Sequence, residues 1–337
     1  MKPVPHGQIE RIAERSRIAE RSGRLVRGLM RDAAFLGVRV GLGPGDTTIV
    51  DCGLEAPGSW EAGRRITELA HGGLAHAGLT LVNLAGVSLP QITVDSWLPA
   101  LSAARLQVSF PLDEIDPAIR VSGPICARSC GFEIDRPWRA RNGRCPWGIA
   151  VVETDAPLSL EACEALSQRA ALSPERLTLV VVPSASLAGV VQISGRLNES
   201  VVFTWEHSLE RSPESIVQIV GSCPIPPVGG VVLPDDMIHY AGRATVVVEE
   251  APPEVESLAR LLTFASSDSH GKLFAEILAE AGGVFEAIPD LVHLNKVAEI
   301  TLVDRKTGQV TTAGRCNEAL LGEALLKRIE RSGGRSE

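Results

Sequence analysis

Short apolar runs alternate with amphipathic stretches along most of the chain, and this pattern predicts a mixture of strands and helices. Runs such as "TTIVDCG" and "WGIAVVET" are typical of buried strands, and "VAEITLVDRKTGQVTTAG" is typical of a β-hairpin that turns at "RKTG". Amphipathic stretches after Ser59 and Ser159 predict helices, because a serine at the N-cap accepts a hydrogen bond from a free backbone N–H group. Strands are predicted at residues 47–53, 89–97, 104–110, 147–154, 176–182 and 244–250, and helices at residues 11–37, 60–69, 159–172, 254–266, 270–282 and 317–332.

The order of these elements indicates the fold class. Strands and helices mix without a strict βαβ repeat, which favours a mixed α/β (α+β) architecture over a Rossmann repeat. The 337 residues exceed the size at which one core usually stops growing, so two domains are expected. We predict an N-terminal α/β domain over residues 1–150 and a C-terminal α/β domain over residues 151–337, either of which can be discontinuous. Two segments rich in glycine and proline, 121–150 and 221–243, are predicted to be loops.

The charge pattern argues against two classes of partner. The formal net charge is −8, and no basic block interleaved with aromatic residues suggests a nucleic-acid surface. The N-terminus lacks an apolar signal-peptide core, and no run of about 18 apolar residues predicts a membrane span. We therefore expect a cytoplasmic protein that binds neither nucleic acid nor membrane.

The cysteines and histidines give little support to a metal site. Cys126, Cys130 and Cys145 have a loose metal-like spacing, but no nearby histidine completes a ligand set. His71 and His76 stand five residues apart without the intervening glutamate of a zinc protease, so we expect surface or hydrogen-bonded histidines. The motifs GxxxxGK[ST] and GxSxG are also missing from the sequence, which argues against phosphate-loop enzymes and α/β-hydrolases.

One apolar stretch contains charged groups and allows two interpretations; it reads "VVVPSASLAGVVQISGRLNESVVFT". As a strand, its two-residue period places Arg196 and Glu199 on opposite faces. As a helix capped by Ser184 or Ser186, it places Gln192, Arg196 and Glu199 on one face, at positions i, i+4 and i+7. Periodicity alone leaves both interpretations open.

The charged pair in this stretch also allows two interpretations. An ordinary exposed Arg–Glu pair contributes about 0–1 kcal/mol to stability and has no further role. On a largely buried helix that faces a cleft, Glu199 is a candidate general base and Arg196 the residue that orients it.

The stretch resembles part of the methenyltetrahydromethanopterin cyclohydrolase family. That family carries a similar proline–serine turn, a Val-Gln pair and an Arg-x-x-Glu, which are here "VPSAS", "VVQ" and "RLNE". The likeness continues in the same order over residues 45–325. It includes "IVDCGLEAPGSWEAGRRITELAHGGLAHAGL", "VSGPICA", "PIPPV", "DDMIHYAGRATV", "SSDSHGKLF" and "VAEITLVDRKTGQVTTAGRCNEALL". The chain departs from the family pattern at "VSGPICA", at His270 and Leu273, which replace a tyrosine and a proline, and at "LVHLNKVAE".

The resemblance implies a reaction and its site. The reaction is the reversible hydrolysis of the methenyl bridge of a tetrahydromethanopterin-type pterin to the formyl form, without a metal or redox cofactor. Glu199 matches the glutamate that handles the water, and Arg196 matches its arginine partner. Residues expected to bind the substrate lie in the matching blocks; they are Ser122, Gly123, Ser184, Ser186, Gln192, Arg243 and Lys272.

The resemblance also implies an organisation. It predicts two domains with a substrate cleft between them and assembly into a homo-oligomer, with a trimer expected. The reaction belongs to one-carbon metabolism and fits formaldehyde oxidation. Two alternatives remain: a diverged relative that binds a pterin without turnover, and a hydrolase of a different substrate on the same scaffold.

Overall fold

The strands of the chain pair into two mixed sheets. The computed structural model describes residues 17–127, 146–289 and 291–326. The strands are β1 (Arg39–Leu42), β2 (Thr48–Asp51), β3 (Ala75–Leu84), β4 (Val87–Trp97), β5 (Phe110–Leu112), β6 (Asp116–Ser122), β7 (Gly148–Glu153), β8 (Leu177–Val182), β9 (Ile216–Pro224), β10 (Arg243–Val248), β11 (Glu299–Asp304) and β12 (Val310–Gly314). The α-helices are α1 (Ile18–Arg31), α2 (Ala33–Leu36), α3 (Trp60–Ala70), α4 (Pro99–Leu101), α5 (Leu160–Ala170), α6 (Leu187–Ser194), α7 (Leu197–Phe203), α8 (Pro234–Ala241), α9 (Val255–Leu261), α10 (Phe274–Glu280) and α11 (Glu318–Leu326).

The first sheet has the strand order β1-β2-β8-β7-β6-β5. Its centre is parallel, because β2 and β7 both run parallel to β8, and its outer strands are antiparallel. Val151 packs with α1 and α3 on one face, whereas Val152 packs with α5 on the other. The central strands are therefore buried on both faces, which explains their continuous apolar sequences.

The second sheet has the strand order β12-β11-β10-β9-β4-β3, in which β10 and β11 are parallel and the other pairs antiparallel. Ile92, Ile219 and Val246 belong to the core that this sheet shares with the later helices. Alternate residues such as Val220 and Thr245 are exposed. This sheet thus covers a core with one face and leaves much of the other open, as antiparallel sheets commonly do.

The two sheets are interleaved along the chain. The first uses strands from residues 39–51, 110–122 and 148–182, and the second uses strands from residues 75–97 and from residue 216 onward. Each sheet therefore contains strands from both sides of residue 150. The architecture is mixed α/β without a Rossmann repeat, as predicted, and the division at residue 150 stays a prediction.

Most predicted elements are confirmed, including the helices that Ser59 and Ser159 cap. Two predictions are wrong. The segment 104–110 is not a strand throughout, because Ser102–Gln107 is π-helical and the strand β5 begins only at Phe110. The predicted loop 221–243 contains the end of β9 and all of α8, since Pro224 ends the strand and Pro234 occupies the first helical position, where proline is tolerated.

Two helices, α3 and α6, connect the cores of the two sheets. In α6, Ala188 packs into the core of the first sheet, whereas Val190 and Val191 pack into the core of the second. Gly63 of α3 lies against α6 so closely that a Cβ there would be 2.5 Å from the carbonyl oxygen of Ala188. The helices in the described parts of the chain lack the length and apolar character that a membrane span requires.

We expect the substitution Gly63→Ala to lower the free energy of unfolding by about 1–3 kcal/mol, because a methyl group overpacks the contact between α3 and α6. The matched control is Gly28→Ala in α1, where a Cβ would meet no atom within 4 Å. That control should raise stability by roughly 0.5–1 kcal/mol through helix propensity. Urea unfolding of both variants measures the difference, and equal effects would contradict close packing at Gly63.

Candidate active site

The candidate site is built around a break between α6 and α7. The hydroxyl of Ser186 caps α6 by accepting a hydrogen bond from the N–H group of Gly189 at 2.9 Å. After α6 ends, Gly195 packs on α3 so tightly that a Cβ would lie 2.7 Å from the methyl carbon of Thr67. Arg196 lies in the break, and Glu199 lies in the first turn of α7. The segment is helical, as one of the two interpretations predicted. It forms two helices, however, and not the single helix that would place Gln192, Arg196 and Glu199 on one face.

The guanidinium of Arg196 is buried and held by three acceptors. Its Nη1 atom lies 2.9 Å from Oε1 of Glu153, at the end of β7. Its Nη2 atom lies 3.1 Å from Oε2 of Glu199 and donates to the carbonyl oxygen of Gln107 at 3.0 Å. Burial opposes the charge of Arg196, but Glu199 and Glu153 outweigh it and raise its pKa. The guanidinium therefore fixes the position of the Glu199 carboxylate.

Glu199 is a carboxylate under opposing influences. Its side chain is only 9% exposed, and this burial raises its pKa above the usual value. The positive charges of Arg196 and Arg120 lower the pKa, whereas the negative charge of Glu153 raises it further. A glutamate with a raised pKa in a largely buried site is suited to accept a proton near neutral pH.

Asp235 is a third carboxylate in this environment. It lies in the first turn of α8, where burial and the neighbouring Asp236 raise its pKa to about 7. Glu153 also raises this pKa, and Arg196 lowers it, so the three groups interact electrostatically. We call Glu153, Glu199 and Asp235 the carboxylate cluster.

A second arginine, Arg120, completes the charged surroundings. It stands directly opposite Glu153 in the pairing of β6 with β7. Its Nε atom donates to the hydroxyl of Ser109 at 3.0 Å, and its guanidinium lies 4.8 Å from the ring centre of Phe285. Among the described residues, three carboxylates thus lie in the electrostatic environment of two guanidinium groups, and the excess is one negative charge when all five groups are ionised. Such a site favours a cationic ligand and provides a carboxylate base beside it.

Five predicted substrate-binding residues lie in or next to the first sheet and α6, and they have different surroundings. Ser184 is exposed and donates its N–H group to Asp155 at 3.2 Å, whereas Ser186 is used as the helix cap. Among the described residues, the buried amide of Gln192 and the buried hydroxyl of Ser122 have no hydrogen-bond partner. Gly123 has a φ of +90°, and its N–H group donates to the carbonyl oxygen of Leu106. A role in substrate binding stays a prediction for all five.

Arg243 and Lys272 have ion-pair partners outside the carboxylate cluster. Arg243 opens β10 and lies 3.5 Å from Glu299 at the start of β11. Lys272 donates to both carboxylate oxygens of Glu280 at 2.7 Å. Both side chains are exposed, and their proposed contact with substrate stays a prediction.

The histidines match the expectation from sequence. His71 is buried and hydrogen-bonded to Thr67 and Ser96, whereas His76 is exposed and lies 3.2 Å from Glu68. Cys126 is buried, and the other two cysteines of the loose metal-like set lie outside the described residues. Within the described ranges, no group of three or more His, Cys, Asp or Glu residues is arranged to hold a metal ion.

The sequence interpretation missed Glu153, Asp235, Arg120 and Gln107. Glu153 ends the buried strand "IAVVE", and a charged residue at the carboxyl end of a parallel strand is a recognisable signal. Asp235 follows Pro234 in a segment predicted to be a loop, so its place in a helix was hidden. Arg120 and Gln107 reach the site through strand pairing and a π-helical turn, which the sequence pattern did not indicate.

The sequence of the chain matches a known family. The model of the family "Cyclohydrolase (MCH)" matches residues 17–325, which is most of the chain. The chain therefore belongs to this family.

Curated relatives agree with the family match. The chain is 28% identical over 289 residues to methenyltetrahydromethanopterin cyclohydrolase of Methanocaldococcus jannaschii, covering 82% of this chain and 88% of the relative. It is 30% identical over 309 residues to the protein of the same name from Xanthobacter autotrophicus, covering 89% and 90%. A third relative with this name, from a Methylobacterium species, is 29% identical over 301 residues, covering 86% and 92%.

We expect Asp235→Asn to raise the Tm, and more so at pH 8 than at pH 5. The folded-state pKa of Asp235, about 7, is above the ordinary value of 3.8, so the folded state binds more protons than the unfolded state between these values. Stability is therefore lost as the pH rises from about 4 to about 7, and the neutral amide removes this loss. Thermal unfolding of both proteins at the two pH values measures the effect.

A second aspartate provides a control of opposite sign. Burial opposes the charge of Asp51, but backbone N–H groups of residues 53–56 donate to its carboxylate and lower its pKa. Its ionised form is stabilising above pH 4, so Asp51→Asn should lower the Tm at both pH values. A pH-independent effect of Asp235→Asn would contradict the raised pKa of Asp235.

Proposed function

We propose that this chain hydrolyses the methenyl bridge of a tetrahydromethanopterin-type pterin to the formyl form, in a reversible reaction. The observation that carries this proposal is the carboxylate cluster around Arg196, in a chain that belongs to the cyclohydrolase family. The relatives named for this reaction cover most of the chain.

The charge of the site suits this substrate. The methenyl carbon bridges two nitrogens, and the positive charge is delocalised over the three atoms. When its three members are ionised, the carboxylate cluster has one negative charge more than Arg196 and Arg120 supply. A largely buried excess of negative charge stabilises such a cation more strongly than water does.

We assign the proton transfer to Glu199. Water adds to the bridging carbon through its oxygen, and Glu199 accepts the proton that the water loses. One carbon–nitrogen bond then breaks, and its electron pair stays on the nitrogen, which takes up a proton. The hydroxyl group formed on the carbon loses its proton to give the formyl group, so that the net change is the addition of one water and the release of one proton.

Arg196 positions Glu199. Glu153 and the carbonyl oxygen of Gln107 both bind the guanidinium of Arg196. The guanidinium therefore has little freedom to rotate, and it lies 3.1 Å from Glu199. The adjacent positive charge also acts against the effect of burial on the pKa of Glu199. Arg196 thus favours the carboxylate form, which is the form that acts as a base.

We also propose that the reaction uses no metal or redox cofactor. The hydrolysis transfers no electrons between the substrate and another group. A carboxylate base and a site of negative charge supply the two functions that the reaction needs, namely proton removal and cation stabilisation.

We expect Glu199→Gln to lower turnover of methenyl-tetrahydromethanopterin by at least about 100-fold, because the amide cannot accept the proton of water. The loss of methenyl absorbance in the presence of EDTA measures turnover. The matched control is Glu206→Gln, since Glu206 is paired with Arg105 and not with Arg196. This control should keep wild-type turnover.

Three results would contradict these proposals separately. Wild-type turnover in Glu199→Gln removes Glu199 from the mechanism. If the wild-type protein binds the pterin but the methenyl absorbance does not decay, the chain is a relative that binds a pterin without turnover. Activity that EDTA abolishes and added metal restores contradicts the proposal of a metal-free reaction.

We further propose that the chain works in the cytoplasm as a homo-oligomer, with a trimer as the expected form. Support comes from the open face of the second sheet, where Trp97 and Val220 lie on neighbouring strands and are 45% and 37% exposed. Exposed apolar side chains near one another are typical of surfaces that bind another protein.

We expect light scattering after size-exclusion chromatography to give three times the mass of one chain. The double substitution Trp97→Glu and Val220→Glu should lower the mass towards one chain, because it places charges on the proposed contact surface. Substituting Leu42, which is 74% exposed in β1 of the first sheet, with glutamate is the control. A wild-type mass of one chain contradicts the oligomer.

A further inference from the structure

A chain of buried polar groups connects α3 to the first turn of α7. His71 follows the last residue of α3, and its Nδ1 atom lies 2.9 Å from the carbonyl oxygen of Thr67. Its Nε2 atom lies 3.2 Å from the hydroxyl of Ser96 in β4. Nδ2 of Asn198 in α7 donates to this hydroxyl at 2.8 Å and to the carbonyl oxygen of Val94 at 3.0 Å. His71, Ser96 and Asn198, which we call the polar relay, are fully buried.

The acceptors in the relay determine where its protons lie. A carbonyl oxygen only accepts hydrogen bonds, so Nδ1 of His71 carries the proton and donates to Thr67. In the neutral ring Nε2 then has a free lone pair, to which the hydroxyl of Ser96 donates. The oxygen of Ser96 in turn accepts from Asn198. One tautomer of His71 therefore satisfies every contact between the relay residues.

The neutral form of His71 is strongly favoured. Complete burial lowers its pKa to about 4, although the bond to Thr67 acts in the opposite direction, and the charge of Arg196 lowers the pKa further. An imidazolium would add an uncompensated charge close to a buried guanidinium. The relay thus keeps one arrangement of donors and acceptors throughout the neutral pH range.

The relay ends between the two residues to which we assign the chemistry. Asn198 is flanked in the first turn of α7 by Leu197 and Glu199, and it lies two residues after Arg196. Gly195, just before the break, packs on Thr67, and its carbonyl oxygen accepts a hydrogen bond from Gln107 at 3.2 Å. Side-chain contacts therefore hold the backbone on both sides of the break. Thr67 connects the break to α3, and the polar relay connects it to α3 and β4.

We propose that His71, Ser96 and Asn198 are positioning residues, which set the orientation of α7 and so the geometry of Arg196 and Glu199. The effect of the polar relay on turnover rests on the proposed function. The hydrogen bonds of the relay do not, because they are present in the folded chain without substrate. The three residues do not contact the carboxylate of Glu199; they fix the turn of backbone that carries it.

The first test measures the relay without substrate. In the protein labelled with 15N-histidine, one histidine should show a protonated Nδ1, an unprotonated Nε2 and no titration between pH 5 and pH 8. His71→Gln identifies its signal. A protonated Nε2 or a titration in this range overturns the relay, and this result does not depend on whether the chain is a cyclohydrolase.

The second test measures the consequence for turnover. Ser96→Ala should lower kcat for methenyl-tetrahydromethanopterin roughly 10- to 100-fold with KM within about twofold, because a small misplacement of a base affects the chemical step. Ser96→Thr, which keeps the hydroxyl, should restore most of kcat. The matched control is Ser167→Ala, since Ser167 is also buried but donates to the carbonyl oxygen of Leu172.

Equal kcat values for Ser96→Ala and Ser167→Ala overturn the positioning role. Asn198→Ala provides a second variant with the same expectation should Ser96→Ala not fold. If the wild-type chain has no turnover, the proposed function fails, while the tautomer of His71 still decides whether the relay exists.

Discussion

The fold is constrained by the need to pair one buried guanidinium. Arg196 is largely covered by protein, and a buried charge whose partner is removed costs about 3–5 kcal/mol. Its three acceptors come from the end of β7, from the π-helical segment before β5 and from the first turn of α7. A strand of the first sheet, a connecting segment and a helix of the second core are therefore joined at one side chain. The correct mutual placement of the two sheets is needed before Arg196 can be satisfied.

The carboxylate cluster has a cost in the absence of a ligand. Burial disfavours the ionised carboxylates and is the largest cause of the raised pKa of Asp235, to which the negative charges of Asp236 and Glu153 add. Proteins commonly retain destabilising arrangements where the chemistry requires them. With the substrate of the proposed function, a positive charge would neutralise part of the cluster, so the cost of burying these carboxylates becomes a contribution to binding. The same carboxylates would therefore lower the stability of the free protein and raise its affinity for a cation.

The sequence allowed the fold class and the pair Arg196 and Glu199 to be predicted, and it did so by different routes. Local period and capping serines identified most helices and strands, since these depend on neighbouring residues. The segment before β5 was misjudged because a short alternating run fits both a strand and a wide helical turn. Glu153 and Asp235 could not be assigned to the site from sequence spacing, because strand pairing and helix packing bring them together only in three dimensions. His71 was correctly expected to be hydrogen-bonded, but its partners lie on two other elements.

The interleaving of the two sheets affects how the chain is made. During synthesis the hairpin of β3 and β4 emerges long before β9, its neighbour in the sheet, has been translated. The strand β2, which pairs with β1, is likewise synthesised before its partner β8, with five further strands of the two sheets between them. Neither sheet is formed from one continuous segment, and long-range pairing of this kind slows folding. The nascent chain must therefore keep the edges of two unfinished sheets from pairing with other chains until its later strands arrive.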